Sequence, residues 1–168
     1  NSDKWEELCK KNADQLGVKF FSYKLEGLKD ISEDNLRKIR YEKFNHWASS
    51  NDLILTAHHK DDQVETIIFR FIRGTGLNGL RGIPAWRKDG NSLFHRPLLG
   101  ISKEELYEYA QNNKLEWVED ESNKDTNISR NFVRNILLPT IKDKWPSVEK
   151  SILHLSSEAT RSNKILKS

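Results

Sequence analysis

LILTAHHKDDQVETIIFRFIRGTGLNGLRGIP, residues 53–84, passes from an apolar run through a polar cluster into a helical period and a glycine-rich turn. Leu53-Ile54-Leu55 reads as a short strand covered on both faces. After Thr56-Ala57 come His58, His59, Asp61, Asp62 and Glu65, at the point where a strand would hand over to a helix. In open α/β sheets, ligands bind outside the carboxyl ends of the strands, so this cluster is where a site is expected. From Asp61 onward, Val64, Ile67, Ile68, Phe71 and Ile72 fall at i, i+3, i+4, i+7 and i+8, one apolar stripe of an α-helix.

The acids of this helix admit two readings. Carboxylates in a first turn cap orphan N–H groups and face the positive end of the helix dipole. Three acids preceded by two histidines are more than capping needs, and such a group also suits a divalent cation or an ammonium group. Gly74-Thr75-Gly76-Leu77-Asn78-Gly79 spells G-x-G-x-x-G, but it follows a helix and leads to Pro84. The dinucleotide fingerprint needs a strand before it and a helix after it. Either this is a mobile loop whose bare backbone approaches a ligand, with Arg70, Arg73 and Arg81 around it, or Gly74 is the C′ residue of a helix-ending turn.

Outward from this stretch the pattern alternates. Trp5, Leu8, Cys9, Ala13 and Leu16 give a helical stripe ended by Gly17, and residues 18–23 read as a strand. Ser32 is a candidate N-cap for a helix carrying Leu36, Ile39, Phe44 and Trp47. Such alternation predicts a parallel sheet with covering helices. Residues 74–97, with five glycines and two prolines, read as a long irregular connection. Ser102-Lys103-Glu104-Glu105 is a capping box opening a helix through Asn112. Trp117-Val118 reads as a brief strand, and Asp120 to Ser129 as a polar loop. Asn127 or Ser129 is the expected cap of a helix with Phe132, Val133, Ile136 and Leu137 on its apolar face, limited or kinked by Pro139. Val148, Ile152, Leu155, Ala159 and Leu166 form a seam on a last helix that wants a partner, either within this domain or in a homodimer.

Composition narrows the class. The 168 residues are 36% hydrophobic and 32% charged, with net charge +3 and pI near 8.9, which permits nucleic-acid binding without requiring it. The single Cys9 rules out an internal disulfide and any cysteine-based zinc or iron–sulfur site. No apolar run is long enough to span a bilayer and no signal peptide is visible, so no membrane partner is expected and the cytoplasm is the expected location.

TAHHKDDQVETIIFRFIRGTGLNGLRGIP resembles the signature segment of the bacterial tRNA(Ile)-lysidine synthases, N-type ATP pyrophosphatases of the PP-loop group. Arg37-x-x-Arg40-Tyr41, Arg96-Pro97-Leu98-Leu99, the run from Trp117 to Asn123, and Arg130-Asn131-x-x-Arg134-Asn135-x-Leu137-Leu138-Pro139 agree with it. The resemblance implies an α/β, Rossmann-like PP-loop domain over residues 1–99 and a helical extension over 100–168. The family's SGGxDS ATP loop occurs nowhere in the chain, and Asn1 to Trp5 match the region just beyond the family's second strand. The domain is therefore expected to be N-terminally incomplete, by about 60 residues if two βα units are missing, and inactive as it stands.

The implied reaction is adenylation of the wobble cytidine of tRNA(Ile) with a CAU anticodon at C2, followed by attack of free L-lysine. ATP and Mg²⁺ are implied with it. Carried onto this sequence, Asp62 and Glu65 divide the carboxylate roles toward lysine and magnesium, with Asp62 the metal candidate and Asp61 a helix cap. Arg37 and His58 are the expected ATP contacts. Arg73, Arg130 and Arg134 are expected on tRNA, and Arg130 also toward the activated cytidine. Competing readings are a salt bridge from Arg130 to Asp120, Glu121 or Asp125, another PP-loop tRNA enzyme, a non-catalytic RNA-binding module, and a metal-dependent phosphohydrolase built on His58 and His59.

Overall fold

The computed structural model describes residues 2–25, 32–49, 52–90 and 92–165. In chain order the elements are α1 (Ser2–Leu16), α2 (Glu33–Trp47), β1 (Leu53–Leu55), α3 (Lys60–Ile72), α4 (Leu77–Leu80), β2 (Trp86–Asp89) and β3 (Ser92–His95). Then follow α5 (Lys103–Asn112), a 3₁₀ turn (Glu121–Lys124), α6 (Ser129–Phe132), a π-helical segment (Val133–Leu137), α7 (Leu138–Lys144) and α8 (Val148–Ile165).

The sheet has the order β1-β3-β2. β1 pairs with β3 in parallel, Ile54 opposite Phe94, while β2 and β3 form an antiparallel hairpin. The α/β expectation holds, but the sheet is mixed rather than wholly parallel. The hairpin corrects the reading of residues 74–97 as irregular. Its turn uses Gly90 at φ 57°, and Trp86 stacks on His95 across the pair at 3.9 Å. Asp-Gly between two short runs is a hairpin signal, here masked by the charged residues of β2.

Two other expected strands are absent. Residues 18–23 run outside the sheet because their aromatics turn onto α2: Tyr23 meets Trp47 edge-on at 6.1 Å and lies under the Lys43 ammonium at 4.0 Å. Trp117 folds back on Tyr107 of α5 at 5.8 Å, leaving Val118 exposed and unpaired in any sheet. β1 is likewise not covered on both faces, since Leu55 is 61% exposed.

The helices follow their sequence signals more closely. Ser32 accepts from the Asn35 N–H at 3.4 Å, and Ser102 and Glu105 complete the capping box of α5. Gly17 and Gly74 end α1 and α3 at positive φ. Asn127 instead spends its donors on Asp125, so α6 starts after Ile128 with no side-chain cap. The stretch 129–144 is one helical run carrying a π turn. The Leu138 N–H reaches back to the Val133 carbonyl, five residues away, and Pro139 enters just after that widened turn.

The stripe on α3 buries Val64, Ile67 and Ile68, whereas Phe71 and Ile72 in its last turn stay exposed. Val64 and Ile68 form a core with Val133 and Leu138, against which Ile152 and Leu153 of α8 pack. This core straddles residues 99 and 100. α8 therefore packs within the domain, with Ala159 buried and the Ser156 hydroxyl donating to the Arg81 carbonyl at 3.0 Å. Leu166, the last member of the expected seam, lies outside the described residues. Among the described residues no helix is long and apolar enough to cross a membrane.

Candidate active site

Because β1 and β3 are parallel, their carboxyl ends open on the same side of the sheet. His58 and the first turn of α3 follow β1, and Arg96 follows β3. The polar cluster therefore sits where the topology places a ligand.

Asp61, Asp62 and Glu65 have separate surroundings. Asp61 accepts from the Lys103 N–H at 2.8 Å and so caps α5, in line with a capping role. Asp62 Oδ2 accepts from the His59 N–H at 3.0 Å, closing the capping box of its own helix, while Oδ1 accepts from Arg130 Nη2 at 2.9 Å. Glu65 is buried, 2% exposed, and carries two guanidiniums. Arg134 donates Nε to Oε1 at 2.6 Å and Nη2 to Oε2 at 2.8 Å, and Arg130 Nε reaches Oε2 at 3.1 Å. Hydrogen bonding to Glu65, outweighing the effect of burial, raises the Arg134 pKa above its ordinary value. Arg130 thus pairs with Asp62 and Glu65, not with Asp120, Glu121 or Asp125.

The spacing that produces this cluster is simple. Asp62 and Glu65 stand three residues apart on α3, and Arg130 and Arg134 four apart on the bulged helix, so two facing one-turn rows interdigitate. The polar loop before α6 is tied to the same row. Asn131 donates to the Ser122 and Asp125 carbonyls at 2.8 and 3.0 Å, Asn135 to the Asn123 carbonyl at 2.7 Å, and Arg134 to Asn123 Oδ1 at 3.2 Å.

A basic cleft adjoins the cluster. One cavity of about 290 Å³ is lined by Arg37, Arg40, Tyr41, His58, Asp62 and Arg130. A neighbouring one of about 460 Å³ is lined by Arg37, Arg70, Arg73, Gly74 and Arg130, among others. Arg37, His58, Asp62, Arg73 and Arg130 therefore converge, whereas the Arg134 side chain is directed to Glu65 and Asn123. Burial, with the Arg96, Arg37 and Arg130 charges opposing the pull of Asp62, lowers the His58 pKa to about 4, and its Nδ1 lies 3.0 Å from Thr56 Oγ1. The imidazole is neutral at physiological pH.

The glycine-rich segment resolves in favour of a helix-ending turn. The Gly74 N–H reaches the Phe71 carbonyl at 3.0 Å, and Arg70 Nη1 holds the Gly79 and Gly82 carbonyls at 3.2 and 2.7 Å. Gly82, at φ 67°, packs so closely on Gln63 that a Cβ would collide with it.

The fit of a resident metal is poor. Both Asp62 oxygens and both Glu65 oxygens are already engaged by N–H donors. Among the described residues no three His, Cys, Asp or Glu side chains group to hold an ion.

Sequence reading gave Arg87 and Arg96 no site role, named Arg70 only beside the glycine-rich loop, and left Tyr41 within a family motif. The signal for Arg96 was present, an arginine directly after Ser92-Leu93-Phe94-His95, but its meaning required recognising that run as a strand parallel to β1.

Comparison with known proteins agrees with this architecture. A tRNA(Ile)-lysidine synthase from Pseudomonas syringae pv. tomato is 38% identical over 166 residues, covering 98% of this chain and 37% of its own length. Those from Coxiella burnetii and Hydrogenovibrio crunogenus are 39% and 35% identical, covering 86% and 98% of this chain and 33% and 42% of theirs. The chain thus spans well under half the length of these curated relatives. A PP-loop domain model matches residues 1–141, taking in the sheet, the acidic turn of α3 and the arginine row that meets it. With the model running through both halves of the charged cluster, this chain belongs to the PP-loop domain family.

Proposed function

We propose that the chain is part of the catalytic region of a tRNA(Ile)-lysidine synthase, which uses ATP to activate the wobble cytidine of tRNA(Ile) and joins free lysine to it. The observation that carries this reading is the four-residue ion-pair cluster, Asp62 and Glu65 against Arg130 and Arg134, set on the wall of an arginine-lined cleft at the sheet's carboxyl edge. The identity to synthases of that name over nearly the whole chain supports it.

The reaction needs cationic groups for phosphate charge and a carboxylate that holds an ammonium and then takes its proton. Arg37, Arg73 and Arg130 supply the first, on ATP or tRNA phosphates. For the second, the two carboxylates differ in access: the Asp62 side chain is 14% exposed and that of Glu65 2%. Asp62 is the one that meets the substrate ammonium, displacing the Arg130 guanidinium that now occupies Oδ1. Glu65 stays behind it and fixes both arginines. Arg130, released from Asp62, turns toward the anionic substrate. Neutral His58 accepts or donates a single hydrogen bond in the nucleotide's cleft. Mg²⁺, where the reaction uses it, comes with the phosphates, which supply most ligands of such ions.

The full-length protein, incubated with ATP, labelled lysine and a tRNA(Ile) bearing CAU, is expected to incorporate lysine at the wobble position and release AMP and pyrophosphate. Nucleotide consumption with no lysine in the tRNA would favour another PP-loop tRNA modification.

A further inference from the structure

α4 is a single helical turn with no side-chain N-cap and no buried residue of its own. Nucleating one turn is unfavourable, so so short a helix stands only where its surroundings hold it. On one side the hold comes from α3. Arg70 Nη1 bonds the Gly79 and Gly82 carbonyls, and the Gln63 amide pairs with the backbone N–H and carbonyl of Ile83. On the other side it comes from α8, by a face that is largely polar.

α8 changes character along its length. Its earlier residues Ile152 and Leu153 pack on the apolar core. Further on, Ser156, Ala159 and Asn163 fall at i, i+3 and i+7, on one face, and all three are buried. Buried polar side chains require partners. The Ser156 hydroxyl donates to the Arg81 carbonyl at 3.0 Å. The Asn163 amide donates to Asn78 Oδ1 and accepts from Arg81 Nη1 at 3.4 Å. All three bonds thus end on Asn78, near the start of α4, and Arg81, just past its end. An apolar contact tolerates sliding, whereas directional bonds between buried groups specify one arrangement.

α4 in turn backs the cleft. Gly79 lies against Thr75 so closely that a Cβ there would collide with the threonine side chain. Thr75 lines the cavity of about 460 Å³ together with Arg73, Gly74 and Arg130. We propose that Asn163 and Ser156 are positioning residues for the cleft: through α4 they set the wall formed by Arg73, Gly74 and Thr75, from behind and without touching a substrate. The proposal rests on the reading of function above only in taking that wall to meet tRNA. Asn163 carries the larger share, because it holds both Asn78 and Arg81.

The test uses the full-length protein carrying Asn163→Leu, which keeps the bulk of the side chain and removes both of its hydrogen bonds. The N–H groups of Gly79, Leu80 and Gly82 bond within the α4 turn. Their hydrogen exchange should quicken about tenfold, while Val64, Ile67 and Ile68 of α3 exchange as in the wild type. Steady-state kinetics should show the KM for tRNA raised about three- to tenfold with kcat little changed, because binding and not the reacting groups is disturbed. Asn163→Asp should restore both readouts, since its carboxylate still accepts from Arg81 and the Asn78 amide turns to donate to it. Asn78→Ala breaks the same contact from the exposed α4 side and serves if Asn163→Leu does not fold. Exchange quickened equally in α3 and α4 would make Asn163 a general stabiliser and overturn the proposal. So would a wild-type KM beside a loosened α4, or wild-type behaviour of the variants that fold. If the wild-type protein incorporates no lysine, the reading of the reaction fails, and α8 is then judged by exchange and by the Kd for tRNA in place of KM.

Discussion

Glu65 and Phe21 invert the usual rule of burial. The glutamate is 2% exposed and the phenylalanine 74%. Around Glu65, α3, the 129–144 helix and α8 close over a small apolar core and lock two carboxylates to two arginines. Around Phe21, a groove of about 880 Å³ between α1, residues 20–25 and α2 is lined by Trp5, Phe20, Leu36 and Trp47 and stays open. The difference teaches where this chain's chemistry is held. The geometry of the site rests on helix-to-helix ion pairs from Asp62 and Glu65 to Arg130 and Arg134, and little of it rests on the apolar groove.

The largest effect that would sharpen this contrast is expected at Glu65. Glu65→Gln leaves Arg134 and Arg130 facing a neutral amide in the interior, and breaking a buried pair from one side costs about 3–5 kcal/mol. Denaturant unfolding should show that loss. A change within about 0.5 kcal/mol would mean that the arginines find other partners at no cost, and that the cluster does not hold the helices.

Leu138→Ala and Phe21→Ala set the two regions against each other directly. The first opens a cavity beside Val64, Ile68 and Val133 and should cost about 2–5 kcal/mol. The second removes an exposed ring and should stay within about 0.5 kcal/mol in this chain. Comparable losses would erase the distinction between a closed and an open region.

Arg130→Ala should impair use of tRNA more than binding of free ATP, because Arg37 and Arg73 remain in the cleft when Arg130 is gone. Separate titrations of the two substrates measure it, and equal losses would assign Arg130 a purely structural role on Glu65.

An effect of a different kind is expected from pH. His58 titrates near 6.5 when unfolded and at about 4 when folded, so the unfolded chain binds more protons between those values. This histidine's contribution is therefore full above pH 6.5 and falls away as the pH drops toward 4. His58→Gln should flatten that part of the stability profile, and an unchanged slope would show that other groups set it.

Much of this was legible in the sequence, for identifiable reasons. The period of α3, the Ser32 and Ser102 caps and the acid cluster after β1 are local signals, and each stands where expected. The pairing of Arg130 with Asp62 and Glu65 was not legible. It joins residues more than sixty positions apart, and Asp120, Glu121 and Asp125 were nearer in sequence. Residues 18–23 and 117–118 have strand-like side chains, but a strand exists only with a hydrogen-bonded neighbour, and their aromatics found helices instead. Arg96 was hidden for the converse reason, since only the parallel register of β1 and β3 brings it to the mouth of the cleft.

The central claim is that Asp62 receives the substrate ammonium while Glu65 holds the arginines behind it. Its most direct measurement is steady-state lysine incorporation by the full-length Asp62→Asn variant, alongside its unfolding free energy. Loss of turnover by about 10²–10³, the order seen when one electrostatic group leaves an active site, with the variant still cooperatively folded, is the predicted result. Near-wild-type incorporation by a folded Asp62→Asn protein would contradict the account and move the lysine site away from this carboxylate.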